Sequence, residues 1–285
     1  MKKAIKNIWR VICYPLLYLG AQVVVSVIYA VLAAAIIGVQ IAMESAASGK
    51  GMDADDIGEL IFSRIDLKIP MIVSVFVAFA VMFLILRKEW KAEKLWNFKN
   101  FGPAVIYALS LGFAMNMVTN CVLGVLPIRE YSSPIDDMVG NNLIFDFLVF
   151  ALFAPVLEEI IFRGVVQRRL SKMMNLHGAV ILQALVFGLI HLNLIQGTYA
   201  FVLGIFIGYV YHWYDSIWFA CAIHISFNGT SILLLYMLGE QEVNLLYLML
   251  VCSVFFLVSM ASLGVFAKNL KGLPKAGYGS NRWRL

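Results

Sequence analysis

Between Arg10 and Glu44 the chain carries no Asp, Glu, Lys or Arg, and residues 11–43 are predominantly apolar. A run of that length leaves few options. About 20 such residues let a helix cross a bilayer, and in hydrocarbon every backbone N–H and C=O must be satisfied within the segment. Further apolar runs follow at 69–86, 102–126, 143–162, 178–195, 199–211, 217–238 and 245–267. None reads as the ten-residue alternation of a membrane barrel strand. The whole chain agrees: it is 62% hydrophobic and 14% charged, with mean hydropathy +0.86. A soluble domain is about half apolar and a quarter charged. The expected fold is therefore all-α, a polytopic membrane protein of about eight transmembrane helices with the lipid bilayer as its partner.

The net charge of +5 is distributed between the apolar runs, so it forms no nucleic-acid footprint. Basic clusters lie at Lys2, Lys3, Lys6 and Arg10, at Arg87 to Lys99 with Trp90 and Trp96, at Arg163 to Lys172, and in the tail from Lys268. Loops 44–68, 129–142 and 239–244 are acidic, mixed or neutral. Under the positive-inside rule this alternation puts both termini in the cytoplasm and loop 44–68 outside the cell membrane. Within that loop Ile57, Leu60, Ile61 and Ile65 recur at helical spacing, which predicts a short helix on the membrane surface. The first run exceeds a signal-peptide core, so it reads as an uncleaved span despite the small residues Ser45 to Ser48. Cys13, Cys121, Cys221 and Cys252 lie in apolar runs without CxxC spacing and read as buried small hydrophobes. The domain reading is a three-helix region at 1–140, a core at 141–240, and a last helix with basic tail at 241–285.

The fourth run holds what an anchor would not: Glu158, Glu159 and Arg163 within FALFAPVLEEIIFR. A charge at the bilayer centre costs roughly 2.5–3.5 kcal/mol on insertion scales. Glu159 and Arg163 are four apart and share a helix face, whereas Glu158 lies about 100° away. One carboxylate is thereby tied into a pair and the other left for chemistry. Pro155 removes a backbone hydrogen bond just ahead of them and should open the helix. On later runs stand Phe187 with His191, and His224 with Asn228, each pair four apart. A carboxylate with neutral imidazoles is what a metal-activated or carboxylate-activated water requires.

EExxxR, FxxxH and HxxxN, in that order on successive spans, resemble the intramembrane proteases of the CAAX-protease and bacteriocin-processing family, also called Abi-domain proteins. Here they stand as Glu158-Glu159…Arg163, Phe187…His191 and His224…Asn228, and Ser216-Ile217-Trp218 and the Gly204…Gly208 pair add to the likeness. The resemblance covers about residues 141–236. It implies that Glu158 acts as general base on the hydrolytic water. It further implies that His191, His224 and Asn228 position that water and stabilise the oxyanion, or bind a metal. Glu159 and Arg163 would be structural partners. There is no HExxH motif. Glu158, His191 and His224 can supply three ligands to a zinc ion with one open position, and they serve a metal-free glutamate mechanism equally well.

Depth poses a difficulty. Counted from the basic loop, Glu158 comes out shallow, whereas His191, fourteen residues beyond His177, lies about 20 Å in. The groups meet only if the fifth span starts below the surface or tilts. Other polar residues have plainer readings. Asn116 and Asn120 suit helix–helix hydrogen bonds, Gly204 and Gly208 suit close packing, and His177 and His212 suit an interface. Asp146 is expected to face a cavity or headgroups. The leading function is an endopeptidase acting on a membrane-proximal peptide or protein. A non-catalytic immunity or binding protein on the same scaffold is the alternative. A transporter or proton relay ranks third, because the halves show no inverted repeat. Compact loops suggest a bacterial plasma membrane.

Overall fold

The computed structural model describes residues 2–49, 53–66, 68–93, 104–126, 142–238 and 245–272. Their regular structure is helical, with no strand among the described residues. In chain order the helices are α1 (Lys2–Ser48), α2 (Ala54–Arg64), α3 (Lys68–Glu93) and α4 (Ala104–Val125). Helix α5 is a continuous run of five segments: Leu143–Asp146, Phe147–Phe153, Ala154–Glu159, Ile160–Gln167 and Arg168–Leu170. Then come α6 (Leu176–Leu189), α7 (Leu194–Tyr214), α8 (Ile217–Leu238) and α9 (Leu245–Gly272). Each predicted apolar run has its helix, and α2 is the predicted amphipathic one. Ile8–Ser48, Ala104–Val125, Leu194–Tyr214 and Ile217–Met237 are long and apolar enough to cross a membrane; Ile72–Ile85, Leu176–Leu189 and Leu250–Val265 are shorter apolar helices. The loop charges Lys94, Lys99, Asp136, Asp137, Glu240, Glu242, Lys275, Arg282 and Arg284, with Trp96, lie outside the described residues.

Two compact units divide the chain. One is Leu17–Ile85. In it the Asp53 side chain caps α2 by accepting from the Asp56 N–H at 2.9 Å. The covered side of α2 is Ile57, Leu60, Ile61 and Ile65, while Asp56, Glu59 and Phe62 are exposed. Ile61 sits over Gly38 of α1, its Cδ1 3.5 Å from where a Cβ on Gly38 would lie. Arg64 donates to both oxygens of Glu44 at 3.1 and 3.0 Å. The α2 helix is thus tied to α1.

The other unit is Met1–Leu16 with Leu86–Leu285. Here α4 packs on α8 and α9. A Cβ on Gly112 would lie 2.1 Å from the Ile223 carbonyl oxygen, so α4 and α8 touch backbone to backbone. Polar side chains fasten this contact, Asn116 across the helices as expected, whereas Asn120 bonds back within α4. Asn116 donates to Ser231 Oγ at 2.6 Å, Asn120 to Asn116 Oδ1 at 2.8 Å, and Ser226 to the Leu109 carbonyl at 2.7 Å. Helices α6 and α7 approach through the two predicted glycines. A Cβ on Gly204 would lie 3.0 Å from the Ala184 Cβ, and one on Gly208 3.0 Å from Val180 Cγ1.

Two sequence boundaries are corrected. The fourth span does not end at residue 162 with Arg163 and Arg168 in a basic loop: α5 runs on to Leu170, and every residue from Ile160 to Arg168 is buried. Helix α6 stops at Leu189 rather than near 195, so His191 occupies the turn that follows it. These corrections remove the depth difficulty. Glu158 lies twelve residues before Leu170, about 18 Å at helical rise, and His191 lies fifteen after Leu176, about 22 Å. The two legs of the α5–α6 hairpin bring them level.

The glycine contacts predict opposite outcomes for one substitution. Gly112→Ala should lower the melting temperature in detergent, because its methyl has no room against Ile223. Gly264→Ala in α9, with nothing within 4 Å, should hold or raise it by helix propensity, about 0.5–1 kcal/mol.

Candidate active site

Arg163 and Glu159 are both fully buried, with Nη1 2.8 Å from Oε1. The snorkelling arrangement open to such a pair at a helix end is therefore not what forms. The guanidinium is met on other sides as well. Its Nη2 donates to the Gly204 carbonyl at 3.4 Å, and its Cζ lies 4.8 Å from the centre of the Phe187 ring.

His224 joins the acids across helices. Its Nδ1 lies 2.8 Å from Glu159 Oε1, and its Nε2 lies 3.8 Å from Glu158 Oε2. A carboxylate accepts, so Nδ1 carries the proton and the Nε2 edge is presented to Glu158. His191 follows the same logic, because its Nδ1 is 2.8 Å from the Phe187 carbonyl, which can only accept. Its ring is within electrostatic reach of Glu158 and His224. Phe187 is the hub of the cluster. Its fully buried ring meets Phe162 at 4.9 Å, His191 at 5.1 Å and His224 at 5.6 Å, all edge-on.

Register explains why α5 and α8 meet here. Arg168 follows Glu159 by nine residues, and His224 follows Asp215 by nine. Arg168 pairs with Asp215 at 3.4 Å and with the Tyr211 hydroxyl, so the two antiparallel helices carry matched rungs. At the other end Tyr236 donates to Asp146 at 2.7 Å. Asp146, expected to face a cavity or headgroups, is instead buried against α8.

Asn228 meets a defect in α5. The Phe147–Phe153 segment is a π-helix, and the Ala154 N–H bonds back five residues to the Val149 carbonyl. By that register the Phe150 carbonyl would take the N–H of residue 155, which is Pro155 and has none. Asn228 Nδ2 supplies the donor at 3.0 Å. One amide hydrogen thus holds the helix turn that precedes the glutamates, and the other is left over.

Every residue picked from the sequence is in this region: Arg163, His191 and His224 meet the Phe187 ring, Glu158 and Glu159 flank the His224 ring, and Asn228 stands one turn after His224 on α8. Missed were Gln167 and Gln183. Gln167 stands one turn after Arg163 and donates to the Gly208 carbonyl at 2.8 Å; Gln183 donates to that of Gly204 at 2.9 Å. The signal for Gln167 was its i+4 spacing from Arg163, hidden by ending the helix too early. Both imidazoles have Nδ1 tied to an acceptor, as metal-binding histidines do. Among the described residues, however, no three His, Cys, Asp or Glu side chains are arranged to hold a metal.

Fold and site together define a multi-pass helical membrane protein with a buried acid–imidazole centre. Residues 140–230, which carry the whole centre, match the Rce1-like family of type II CAAX prenyl endopeptidases. This is the family grouping that the three motifs resemble, and the match supports a protease or hydrolase kind. No curated protein matches the chain.

Breaking a buried pair by removing one partner costs about 3–5 kcal/mol. Arg163→Met should therefore unfold in far milder SDS titration than wild type. Glu159→Gln/Arg163→Met, with no charge stranded, should recover most of the loss.

Proposed function

We propose that the chain is an intramembrane endopeptidase whose Glu158 activates water against a peptide bond of a membrane-proximal substrate. The observation that carries this is the His224 ring held between two carboxylates of different standing. Glu159 is fully buried and already bonded to Arg163, whereas the Glu158 side chain keeps 13% of its surface open and stands 3.8 Å from His224 Nε2. Glu158 is thus the carboxylate that a water can reach.

The chemistry follows from these positions. Glu158 takes a proton as the water oxygen attacks the scissile carbonyl carbon. The carbon–nitrogen bond then breaks, and the departing amine receives a proton from the same carboxyl. The remaining amide hydrogen of Asn228 is the donor suited to the oxyanion, and one such donor is worth about 3–4 kcal/mol; His224, its Nδ1 proton given to Glu159, faces Glu158 with Nε2, an acceptor for a proton of the water. His191, anchored through its own Nδ1, orients the water with its Nε2. No step here passes through a metal. Zinc on Glu158, His191 and His224 is the alternative that chelation tests. Compact loops favour a bacterial plasma membrane as the setting.

The decisive experiment compares peptides released from membranes holding wild type or Glu158→Gln. Peptides lost in the variant, at unchanged melting temperature, would identify substrates; identical peptide sets would sink the proposal. Glu159→Gln should reduce cleavage by about 10–100-fold rather than abolish it, as loss of an orienting partner does. Dialysis against a chelator should leave cleavage intact. Loss that zinc restores would instead make Glu158, His191 and His224 metal ligands.

A further inference from the structure

The glutamates are reached through one irregular turn of α5, and three separate features meet at it. Pro155 is buried one residue after the π-turn closes at Ala154. It has no N–H for the Phe150 carbonyl, the acceptor that its place in the ladder would serve. From the facing helix, Asn228 Nδ2 gives that carbonyl its hydrogen at 3.0 Å. Gly229, the next residue, lets α8 come this close: a Cβ there would lie 2.8 Å from Phe147 Cε2 and 3.7 Å from the Ala151 Cβ. A proline alone does not call for such an arrangement. Pro15 stands inside α1, which is α-helical from Lys2 to Ser48.

An asparagine between two membrane helices is ordinarily one bond of glue. Here its partner is a carbonyl, which can only accept, and that fixes the polarity of the amide. Turned over about Cβ–Cγ, Asn228 would set Oδ1 against the Phe150 oxygen, acceptor against acceptor, and swing both hydrogens away. The carbonyl thus holds the amide in one orientation, and with it the place of the second hydrogen, one turn after His224 on α8. The hold depends on a carbonyl that its own helix leaves unserved. With any other residue at 155, a backbone N–H would compete for it, and that bond would form without ordering a side chain.

We propose that Pro155 is a positioning residue for hydrolysis: by withholding a backbone hydrogen from Phe150 it obliges Asn228 to hold the carbonyl, and so aims the remaining amide hydrogen at the oxyanion. Pro155 touches no reacting atom and acts through Asn228. The inference rests on the hydrolase reading and extends it to a residue whose side chain has no functional group.

A double-mutant cycle on the full chain in detergent tests the link without any substrate. In the wild-type background Asn228→Ala strands the Phe150 carbonyl and should lower the melting temperature. In the Pro155→Ala background, where the helix supplies an N–H, the same change should cost about half as much or less. An equal loss in both backgrounds would overturn the proposal. Pro155→Leu brings the same N–H with more bulk, and it gives the cycle a second version should the alanine variant not fold. The catalytic half is read on a peptide that Glu158→Gln membranes fail to release, resynthesised with a fluorophore and a quencher. Pro155→Ala should lower kcat by about 10–100-fold at unchanged KM, as a displaced transition-state donor does. A merely structural proline would leave the kcat of the folded enzyme alone, so a wild-type kcat would overturn the proposal as well. If Glu158→Gln membranes release the same peptides as wild type, the protease reading falls by itself, and the melting cycle still decides whether Pro155 holds Asn228.

Discussion

A guanidinium and a carboxylate enclosed on every side, Arg163 against Glu159, set the terms for the rest of the structure. Desolvating two charges costs several kcal/mol each, and their attraction repays it only with good geometry and further hydrogen bonds. The neighbours supply those bonds from three helices. Gly204 on α7 offers a carbonyl, Phe187 on α6 a ring face, and His224 on α8 a ring N–H. Helices α5 to α8 are gathered around this pair, and the open carboxylate beside it inherits their order. Glu158 is held at a fixed place because its neighbour cannot move.

The helix that carries the acids departs twice from α geometry, before and after them. π-turns inside helices occur often at functional sites, because the widened turn releases a carbonyl and rotates the faces of the next turns. In α5 the released carbonyl at Phe150 is taken by Asn228, the fourth residue after His224. The same four-residue spacing that marks a motif in the sequence thus serves two ends. One residue attends the carboxylates, and the other secures the backbone leading to them.

Much of this was legible in the residues. Helix type and order followed from apolar run length, since a helix is the form a lone apolar segment can take in lipid. The Glu159–Arg163 bond followed from spacing, and the helix–helix bond of Asn116 was expected, whereas Asn120 bonds back to Asn116 within α4. What hid was where polar runs stay inside. Arg163, Gln167 and Arg168 look like the start of a loop because charge ordinarily ends a span; here glycine carbonyls, Tyr211 and Asp215 satisfy them from α7 and its end. Those partners lie about 40 residues away, beyond the reach of any local pattern. The shortness of α6 hid for a similar reason. Leu189 to Leu194 is apolar enough to pass for helix, yet the chain turns there, with Leu192 at a φ of 54°.

Gly204 and Gly208 meet Arg163, Gln167 and Gln183 with main-chain oxygen rather than with a side chain. That choice has an evolutionary corollary. Point mutation can delete a carboxylate or a hydroxyl, but it cannot delete a peptide carbonyl. At these two positions inheritance can err in a single direction, by adding volume that pries α6 from α7, so drift here should be policed by bulk and indifferent to chemistry.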